Sequence, residues 1–348
     1  MTENSELRSR RKKEHIAAFK KNKDDANNFF EHIYLEHNAL PEVNFHEIDT
    51  SVEFLNKRIA FPMMINAITG GFDEAVEING NLATVAKRLN IPMAVGSQSI
   101  AVSDKTYEKS FAIVRERIGD GIVLGNLNGF ASVEQAIRAI DMLGADGLQI
   151  HLNPAQEMCM SDGDRDFRGV LSNIEKIVES VKVPIIVKEV GFGISRNVAR
   201  RLYDVGVSYV DVAGSGGTNF INIENDRNQN NDFSELSHWG IPTALSLIEC
   251  ANIENRKGLI CSGGISRAEE VIKALVIGAD MVGMSGQVLR YYLKGGEEAT
   301  YSFLSDMIYK SKIMMLLLGA SNISELRKVS YRTQGALNEF IGSEEFSP

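Results

Sequence analysis

Short apolar segments recur along the chain, and each ends in a small or polar residue. Eight such segments are almost entirely hydrophobic, which is typical of strands that are buried on both faces. They span residues 61–67, 92–97, 121–127, 147–152, 183–190, 209–214, 258–264 and 281–286. The segments between them carry apolar residues at spacings of three and four, which predicts helices. The chain therefore alternates between predicted strands and predicted helices.

The clearest helical patterns lie between successive strands. They fall at residues 75–89, 133–143, 174–181, 197–205 and 268–277. For the last of these, Ser266 is the predicted N-cap and Glu269 the predicted acid of a capping box. Eight β–α units in succession predict an α/β fold of the (β/α)8 barrel type, over residues 59–320. A doubly wound sheet usually has fewer strands and a G-x-G-x-x-G turn after the first, and the Ala-Ile-Thr-Gly-Gly sequence here lacks that spacing.

The two ends of the chain differ from the barrel pattern. Residues 1–58 form a basic arm and a lead-in segment without clear periodicity. The first 27 residues or so predict a mobile arm or a short helix. A run of basic residues is most often a solvated face or a disordered tail, and that is the default expectation here. Capture of a phosphate by Arg11 and Lys12, at the barrel mouth or at an oligomer contact, is the alternative. A long amphipathic helix is predicted at 298–318, and residues 321–348 predict a further helical tail packed outside the barrel.

One connection is unusually long. Residues 214–240 are polar and rich in asparagine. Loops beyond about 12–15 residues in a compact domain are usually lids, binding loops or disordered insertions. We therefore expect this segment to belong to the site.

Composition and charge exclude several classes of function. The chain has 348 residues, of which 44% are hydrophobic and 24% charged, and its formal net charge is −9. An acidic balance argues against general binding to nucleic acid or to anionic membranes. The three cysteines include no C-x-x-C pair, which argues against a disulfide framework or a zinc site. No apolar segment approaches the ~20 residues that a membrane crossing needs. We expect a cytoplasmic protein without a membrane or nucleic-acid partner.

Active sites of barrel enzymes lie where the strands end, and two strand ends here predict a phosphate site. Strands seven and eight end in CSGGIS and GMSGQ. Small residues let backbone N–H groups approach an anion, and a helix that opens after Ser266 would direct its positive end to the same place. Tight turns alone would also explain the glycines, but two such turns on the two expected strands favour phosphate binding.

Lys188 ends a fully apolar strand and should lie in the barrel mouth with little water. A cation in such a place needs an anionic partner. Glu189 is adjacent, but successive strand residues point to opposite faces, so the two side chains should not meet. An anionic ligand group is then the expected partner.

Strand four continues into a cluster of polar side chains. His151 and Asn153 are two residues apart and share a face if the strand continues, and both suit hydrogen bonds to phosphate oxygens. Glu157 suits Mg²⁺. A helix start at Asn153 and Pro154 is the structural alternative, and both interpretations can hold together.

Several segments, in the right order, resemble type 2 isopentenyl-diphosphate isomerase. They are RKKEH (11–15), INAITGG (65–71), AVGSQS (94–99), LQIHLNPAQE (148–157), KEVGFG (188–193), VDVAGSGGTNFINIEN (210–225), SGG (262–264) and GMSG (283–286). The resemblance implies an FMN enzyme that interconverts isopentenyl diphosphate and dimethylallyl diphosphate. It also implies Mg²⁺ on the diphosphate, NADPH or NADH to reduce the flavin, no net redox change, and a homo-oligomer, either a tetramer or an octamer.

The resemblance also implies roles for individual residues. Those expected at FMN are Ala67, Ile68, Thr69, Ser97, Asn126, Lys188, Ala213, Thr218, Gly264, Ile265, Ser266, Ser285 and Gly286. Those expected at the substrate diphosphate are Arg11, Lys12, His151, Asn153 and Gln156, with Glu157 on Mg²⁺. Reduced FMN is the implied proton carrier, and Gln156 and Glu224 are candidates for a proton relay. Ala213 stands where the family usually has Ser, and Gly286 stands where Arg is common, so FMN affinity is expected to be lower.

Two other functions are weighed against this one. An FMN barrel oxidoreductase acting on a small hydroxy acid or a dihydropyrimidine needs a base, often a histidine after strand seven. After Gly191 the one histidine is His238, on the long loop, which disfavours that chemistry. A phosphate-ligand sensor without catalysis is the third hypothesis. Colour and net oxidation of substrate would separate the three.

Overall fold

A computed structural model describes residues 3–21, 27–227 and 231–342. Its strands are β1 (Ile33–Leu35), β2 (Val52–Phe54), β3 (Lys57–Ile59), β4 (Met63–Ile65), β5 (Met93–Ala94), β6 (Val123–Asn128), β7 (Gly147–His151), β8 (Ile185–Lys188), β9 (Tyr209–Asp211), β10 (Gly258–Cys261), β11 (Met281–Met284) and β12 (Tyr331–Thr333). Strands β4 to β11 close into a barrel in chain order, and neighbouring strands are parallel. Each of the eight apolar segments supplies one strand, so the predicted barrel is confirmed.

The helices fill the connections. They are α1 (Glu3–Lys21), α2 (Glu74–Leu89), α3 (Ser99–Ser103), α4 (Lys109–Ile118), α5 (Val133–Leu143), α6 (Pro154–Cys159), α7 (Val170–Ser180), α8 (Arg196–Asp204), α9 (Phe220–Arg227), α10 (Thr243–Ala251), α11 (Ala268–Ile277), α12 (Gly286–Leu317), α13 (Ile323–Leu326) and α14 (Gly335–Gly342). Among these residues, no helix combines the length and the apolar character that a bilayer crossing requires. The five clearest helical patterns all form helices, with shifts of a few residues at their ends.

The start of α11 differs from the prediction. Arg267, not Ser266, occupies the N-cap position. The Glu270 carboxylate accepts hydrogen bonds from the backbone N–H groups of Ser266 at 2.7 Å and Arg267 at 3.0 Å. Glu269 instead forms an ion pair with Lys273 at 2.5 Å. The capping prediction was therefore wrong by one residue, because the turn after β10 is one residue longer.

The barrel interior is apolar where the strands begin and polar where they end. Inward-facing apolar residues form one cluster where the strands begin, and Phe54 of the β2–β3 hairpin packs against them there. The cluster includes Met64, Leu124, Ile186 and Ile260. Two residues further along the same strands, alternation again places side chains inside, and these are buried and polar. They are Asn66, Asn126, Lys188 and Ser262.

The terminal segments pack on the barrel. Helix α1 contacts α3 and α9, and its Ala18 and Phe19 are buried. The segment is therefore the helix that was expected as one alternative, and not a solvated face or a disordered tail. Strand β1 of the lead-in pairs antiparallel with β12 of the tail, a contact that the sequence pattern did not predict. The last long helix begins at residue 286 rather than 298 and is interrupted by non-helical backbone at Gly295 and Gly296. That interruption explains why only its second half showed a continuous pattern.

Candidate active site

A cavity of about 960 Å³ opens at the end of the barrel where the strands end. All thirteen residues that the resemblance implies for FMN line it, and so do the five implied for the diphosphate. Glu157 lines the same cavity. Glu224 is the exception. It does not line the cavity, and its carboxylate instead accepts a hydrogen bond from Gln156, which does.

Glycines bring two loops into close contact at one end of the cavity. A Cβ atom on Gly217 would lie 2.5 Å from the backbone nitrogen of Gly264, and one on Gly264 would lie 2.1 Å from the carbonyl oxygen of Gly216. Gly264 also has a positive φ of 74°, where a side chain would be strained. Helix α12 begins at the same end, at Gly286. This arrangement of small residues and a helix N-terminus suits the phosphate of a bound mononucleotide.

Lys188 and Glu189 point in opposite directions, as their adjacent positions predict. The Glu189 carboxylate accepts hydrogen bonds from the backbone N–H groups of Val190, Gly191 and Phe192 at 2.5 to 2.7 Å. Burial raises the pKa of this carboxyl to about 7, against the opposing effect of those donors. Lys188 Nζ donates to the Glu189 carbonyl oxygen at 2.5 Å and lines the cavity. Among the residues that the structure describes, no carboxylate pairs with the Lys188 ammonium, so this group stands at the floor of the cavity as a positive charge.

His151 lies beside that charge. Its Nδ1 is 2.8 Å from Asn126 Oδ1. Burial, together with the nearby ammonium groups of Lys188 and Lys12, lowers the pKa of His151 to about 3. The imidazole is consequently neutral at physiological pH while the cavity holds no anion.

Asn153 and Pro154 begin a helix, as the structural alternative proposed, but the Asn153 side chain does not cap it. Asn153 Nδ2 donates instead to Gln156 Oε1 at 3.1 Å and to Glu157 Oε1 at 2.9 Å. These bonds fix the amide and carboxylate side chains on one wall. The helix start is therefore present without a cap from Asn153, and the phosphate and Mg²⁺ roles of this segment stay predictions.

Helix α1 brings two cations to the cavity from outside the barrel. Lys12 Nζ donates to the Ser97 carbonyl oxygen at 2.6 Å, and Arg11 Nη1 lies 3.2 Å from Asp162 Oδ2. Burial, with Arg11 and Arg8 nearby, lowers the pKa of Lys12 to about 7. An anion in the cavity would relieve this repulsion between cations.

A buried carboxylate connects α1 to α9. Glu224 Oε1 lies 2.8 Å from His15 Nε2 and accepts from Gln156 Nε2 at 3.1 Å, and Arg227 pairs with Glu224 Oε2. Burial alone would raise the pKa of Glu224, but the His15 and Arg227 contacts bring it below its ordinary value. Arg227 also binds Glu14 of α1 at 3.0 Å. The residue that sequence reasoning placed on a loop is thus the centre of a fixed cluster.

One acidic wall of the cavity is the candidate for metal binding. Within the described parts of the chain, no group of three or more His, Cys, Asp and Glu side chains is arranged to hold a metal. Glu157 lines the cavity near Asp162 and Asp164, and its Oε2 accepts from the Asp164 N–H at 2.9 Å. Mg²⁺ is usually bound through one or two carboxylates together with substrate phosphates, and this wall suits that mode.

Sequence reasoning missed the roles of His15, Arg227, Gln149 and Asp211. Gln149 and Asp211 are fully buried polar residues in otherwise apolar strands. Their polarity at inward-facing positions was the signal that could have identified them. For His15 and Arg227 the sequence held no such signal, because their partners lie on another element.

Comparisons with known proteins identify the family to which this chain belongs. Residues 131–333 match the family model described as FMN-dependent dehydrogenase. An isopentenyl-diphosphate delta-isomerase of Listeria innocua is 42% identical, covering 95% of this chain and 93% of that protein. One of Staphylococcus epidermidis is 39% identical and covers 92% of each.

Solved structures with the same fold are more distant. A flavocytochrome b2 variant with benzoylformate has a TM-score of 0.65 at 16% identity and covers 93% of this chain and 87% of its own. A mandelate oxidase with 3,3-difluoro-2-hydroxy-3-phenylpropionic acid has a TM-score of 0.62 at 16% identity, with coverages of 91% and 90%. At such identities the likeness supports the fold and nothing more specific.

Proposed function

Because the chain belongs to the isopentenyl-diphosphate delta-isomerase family, we propose that it interconverts isopentenyl diphosphate and dimethylallyl diphosphate on a bound FMN, without net redox change. One observation carries the proposal. A single cavity joins a glycine-lined phosphate cradle at one end to a cluster of cations and amides at the other. This layout suits two phosphorylated ligands side by side.

The residues present fit FMN. The close approach of Gly217 and Gly264 leaves backbone, rather than side chains, to face the flavin phosphate. Lys188 is suited to the flavin N1–C2=O edge, where negative charge develops on reduction. When bound and reduced, FMN supplies an electron-rich ring that carries the proton of the isomerisation and stabilises positive charge on the alkene.

The opposite wall suits a diphosphate. Arg11 and Lys12 supply charge, and Asn153 and Gln156 supply amide groups that are already fixed by mutual hydrogen bonds. Glu157 would hold Mg²⁺ together with diphosphate oxygens. We propose NADPH as the reductant of the flavin and a cytoplasmic tetramer or octamer as the working form.

Gln156 and Glu224 are the proposed proton relay. Gln156 lines the cavity, while Glu224 stands behind it and also contacts His15, which lines the cavity too. The carboxylate therefore has two routes to the reacting ligand. Of the two, Glu224 is the group that can take up and return a proton, whereas Gln156 orients the groups beside it.

Oxidation of a hydroxy acid is the second candidate, because the fold is shared with such oxidases. Its weakness is the position of the histidines. The cavity wall contains His15 and His151, which come from α1 and β7, and His238 does not line it. A histidine after the seventh barrel strand, as that chemistry would use, is missing from the described lining.

The test is an anaerobic assay of isopentenyl diphosphate with FMN, Mg²⁺ and NADPH, omitting each component in turn. We expect a yellow protein whose dimethylallyl diphosphate production fails when Mg²⁺ or NADPH is omitted, and whose FMN-stripped form fails unless FMN is supplied. Net oxidation of an organic substrate would support the oxidoreductase instead. A colourless protein that binds phosphate without turnover would support a sensor and contradict catalysis.

A further inference from the structure

A chain of hydrogen-bonded side chains crosses the barrel interior beneath the cavity. It begins at Asp211, whose Oδ2 accepts from Asn66 Nδ2 at 2.7 Å. Gln149 Nε2 donates to Asn66 Oδ1 at 2.8 Å, and Asn126 Nδ2 donates to Gln149 Oε1 at 3.0 Å. It ends at His151, whose Nδ1 lies 2.8 Å from Asn126 Oδ1. The chain therefore connects a buried carboxylate on β9 to an imidazole in the cavity wall.

The direction of these hydrogen bonds is fixed by the backbone. The N–H of Ala67 lies 2.9 Å from Asn66 Oδ1 and can only donate. The atom that it meets must be the amide oxygen, so Asn66 turns its NH₂ group to the Asp211 carboxylate. Ser262 Oγ donates to the other Asp211 oxygen at 2.6 Å, which leaves the carboxylate as the acceptor at this end.

The orientations of Gln149 and Asn126 follow from that of Asn66. Because Asn66 offers an oxygen, Gln149 must donate with its NH₂ group and present its oxygen to Asn126. Asn126 then donates to Gln149 and presents its own oxygen to His151. A neutral imidazole facing that oxygen must carry its hydrogen on Nδ1.

We propose that Gln149 is a positioning residue that fixes neutral His151 as the Nδ1–H tautomer, so that Nε2 presents a lone pair to the bound ligand. Gln149 is fully buried and does not line the cavity, so it acts only through Asn126. This inference rests on the proposed function only in naming the ligand as a diphosphate. A ligand group that hydrogen-bonds to Nε2 must therefore be the donor. A protonated phosphate oxygen or a metal-bound water can donate, whereas a deprotonated phosphate oxygen cannot.

The charged groups that face His151 agree with a neutral ring. Lys188 approaches from β8 and Lys12 from α1, and both are cations. The backbone of Leu127 on β6 also accepts a hydrogen bond from the ring, and this contact opposes the fall in the His151 pKa without outweighing burial and the two cations. Two cations oppose a third positive charge at this position. The tautomer, rather than protonation of the ring, therefore decides whether Nε2 donates or accepts a hydrogen bond.

The experiment reads the tautomer without turnover. The holoenzyme is labelled with ¹⁵N-histidine, and solid-state NMR identifies which ring nitrogen carries hydrogen at neutral pH. The chain has six histidines, so the His151 signals are assigned by their loss in His151→Asn. We expect a protonated Nδ1 and an unprotonated Nε2. A hydrogen on Nε2 would overturn the proposal, whatever the activity of the enzyme.

Two variants test the role of Gln149 itself. Gln149→Met keeps the length of the side chain but loses both the donor and the acceptor, so Asn126 is free to turn and we expect the single tautomer to be lost. Gln149→Glu keeps an oxygen that accepts from Asn126 in either protonation state, so we expect the wild-type spectrum. An unchanged His151 spectrum in Gln149→Met would refute the role. If Gln149→Met fails to fold, a changed tautomer in Gln149→Glu would refute it equally well.

Discussion

The two sides of the cavity are built in different ways. The rim consists of the residues that end or follow strands β4 to β11, such as Thr69, Lys188 and Gly264. The cover consists of helices α1 and α9. Rim residues are placed by the backbone register of a closed barrel. Cover residues are placed by side-chain contacts between distant segments, above all those of Glu224 with His15 and Arg227. Changes in the rim should therefore cost stability and flavin binding, whereas changes in the cover should cost ligand affinity or turnover alone.

The largest effect is expected from Gly217→Ala in the rim. The new Cβ would lie 2.5 Å from the Gly264 backbone nitrogen, so two loops must separate. We expect FMN affinity to fall on the order of 100-fold, equivalent to about 3 kcal/mol, and the unfolding temperature to fall as well. Flavin fluorescence titration and thermal unfolding measure the two.

Gly286→Ala is the matched control for Gly217→Ala. Its Cβ would meet Thr218 Oγ1 at 3.2 Å and the Phe19 ring at 3.3 Å, which are side-chain atoms that can move. The effect should be clearly smaller. Equal losses in the two variants would contradict the idea that backbone contact shapes the phosphate cradle.

In the cover, Glu224→Gln should separate catalysis from binding. The variant keeps the shape but loses the charge and the basicity, so we expect kcat to fall about 100-fold with unchanged FMN affinity. Asp232→Asn, an exposed change in the same connection (residues 214–240) but outside α9, should leave both unaltered. Full turnover by Gln156→Ala with reduced FMN bound would remove Gln156 from the relay.

These two regions also differ in how far the sequence predicted them. Short apolar segments ending in small or polar residues predicted where the strands of the rim end, because strand polarity and the two-residue alternation leave the side chains there little choice. Most of the individual rim residues were named only through the resemblance. The position of α1 could not be predicted in this way, since its basic residues lack a strong apolar face and its contacts are tertiary. Glu224 was selected through the resemblance, but its burial between His15 and Arg227 depends on how α1 and α9 meet.

Lys12→Met should weaken binding of inorganic pyrophosphate while leaving FMN in place. Loss of a charge-assisted hydrogen bond costs about 1.5–3 kcal/mol, which is roughly 10- to 100-fold in the dissociation constant. Lys13→Met is the matched control, because Lys13 is half-exposed and pairs with Glu74 outside the cavity. Isothermal titration calorimetry measures both. Equal weakening in the two would point to a general charge effect and contradict a specific role for Lys12.

The smallest effect is a pH dependence of the same binding. The pKa of Lys12 is about 7, so the free enzyme carries this charge below pH 7 and loses it above. Pyrophosphate affinity should therefore decline as pH rises from 7 to 9, and bound anion will shift the decline upward because it favours the charged form. Lys12→Arg keeps its charge throughout and should lose this part of the decline. Identical profiles for wild type and Lys12→Arg would be evidence against the titration of Lys12.

The central claim is that the flavin, held by the rim, carries out the isomerisation that the cover helps to control. The most direct measurement compares the same protein before and after removal of FMN, under anaerobic reducing conditions with Mg²⁺ and isopentenyl diphosphate. We predict that dimethylallyl diphosphate formation disappears with the chromophore and returns when FMN is added back. Undiminished formation by the colourless protein would contradict the account.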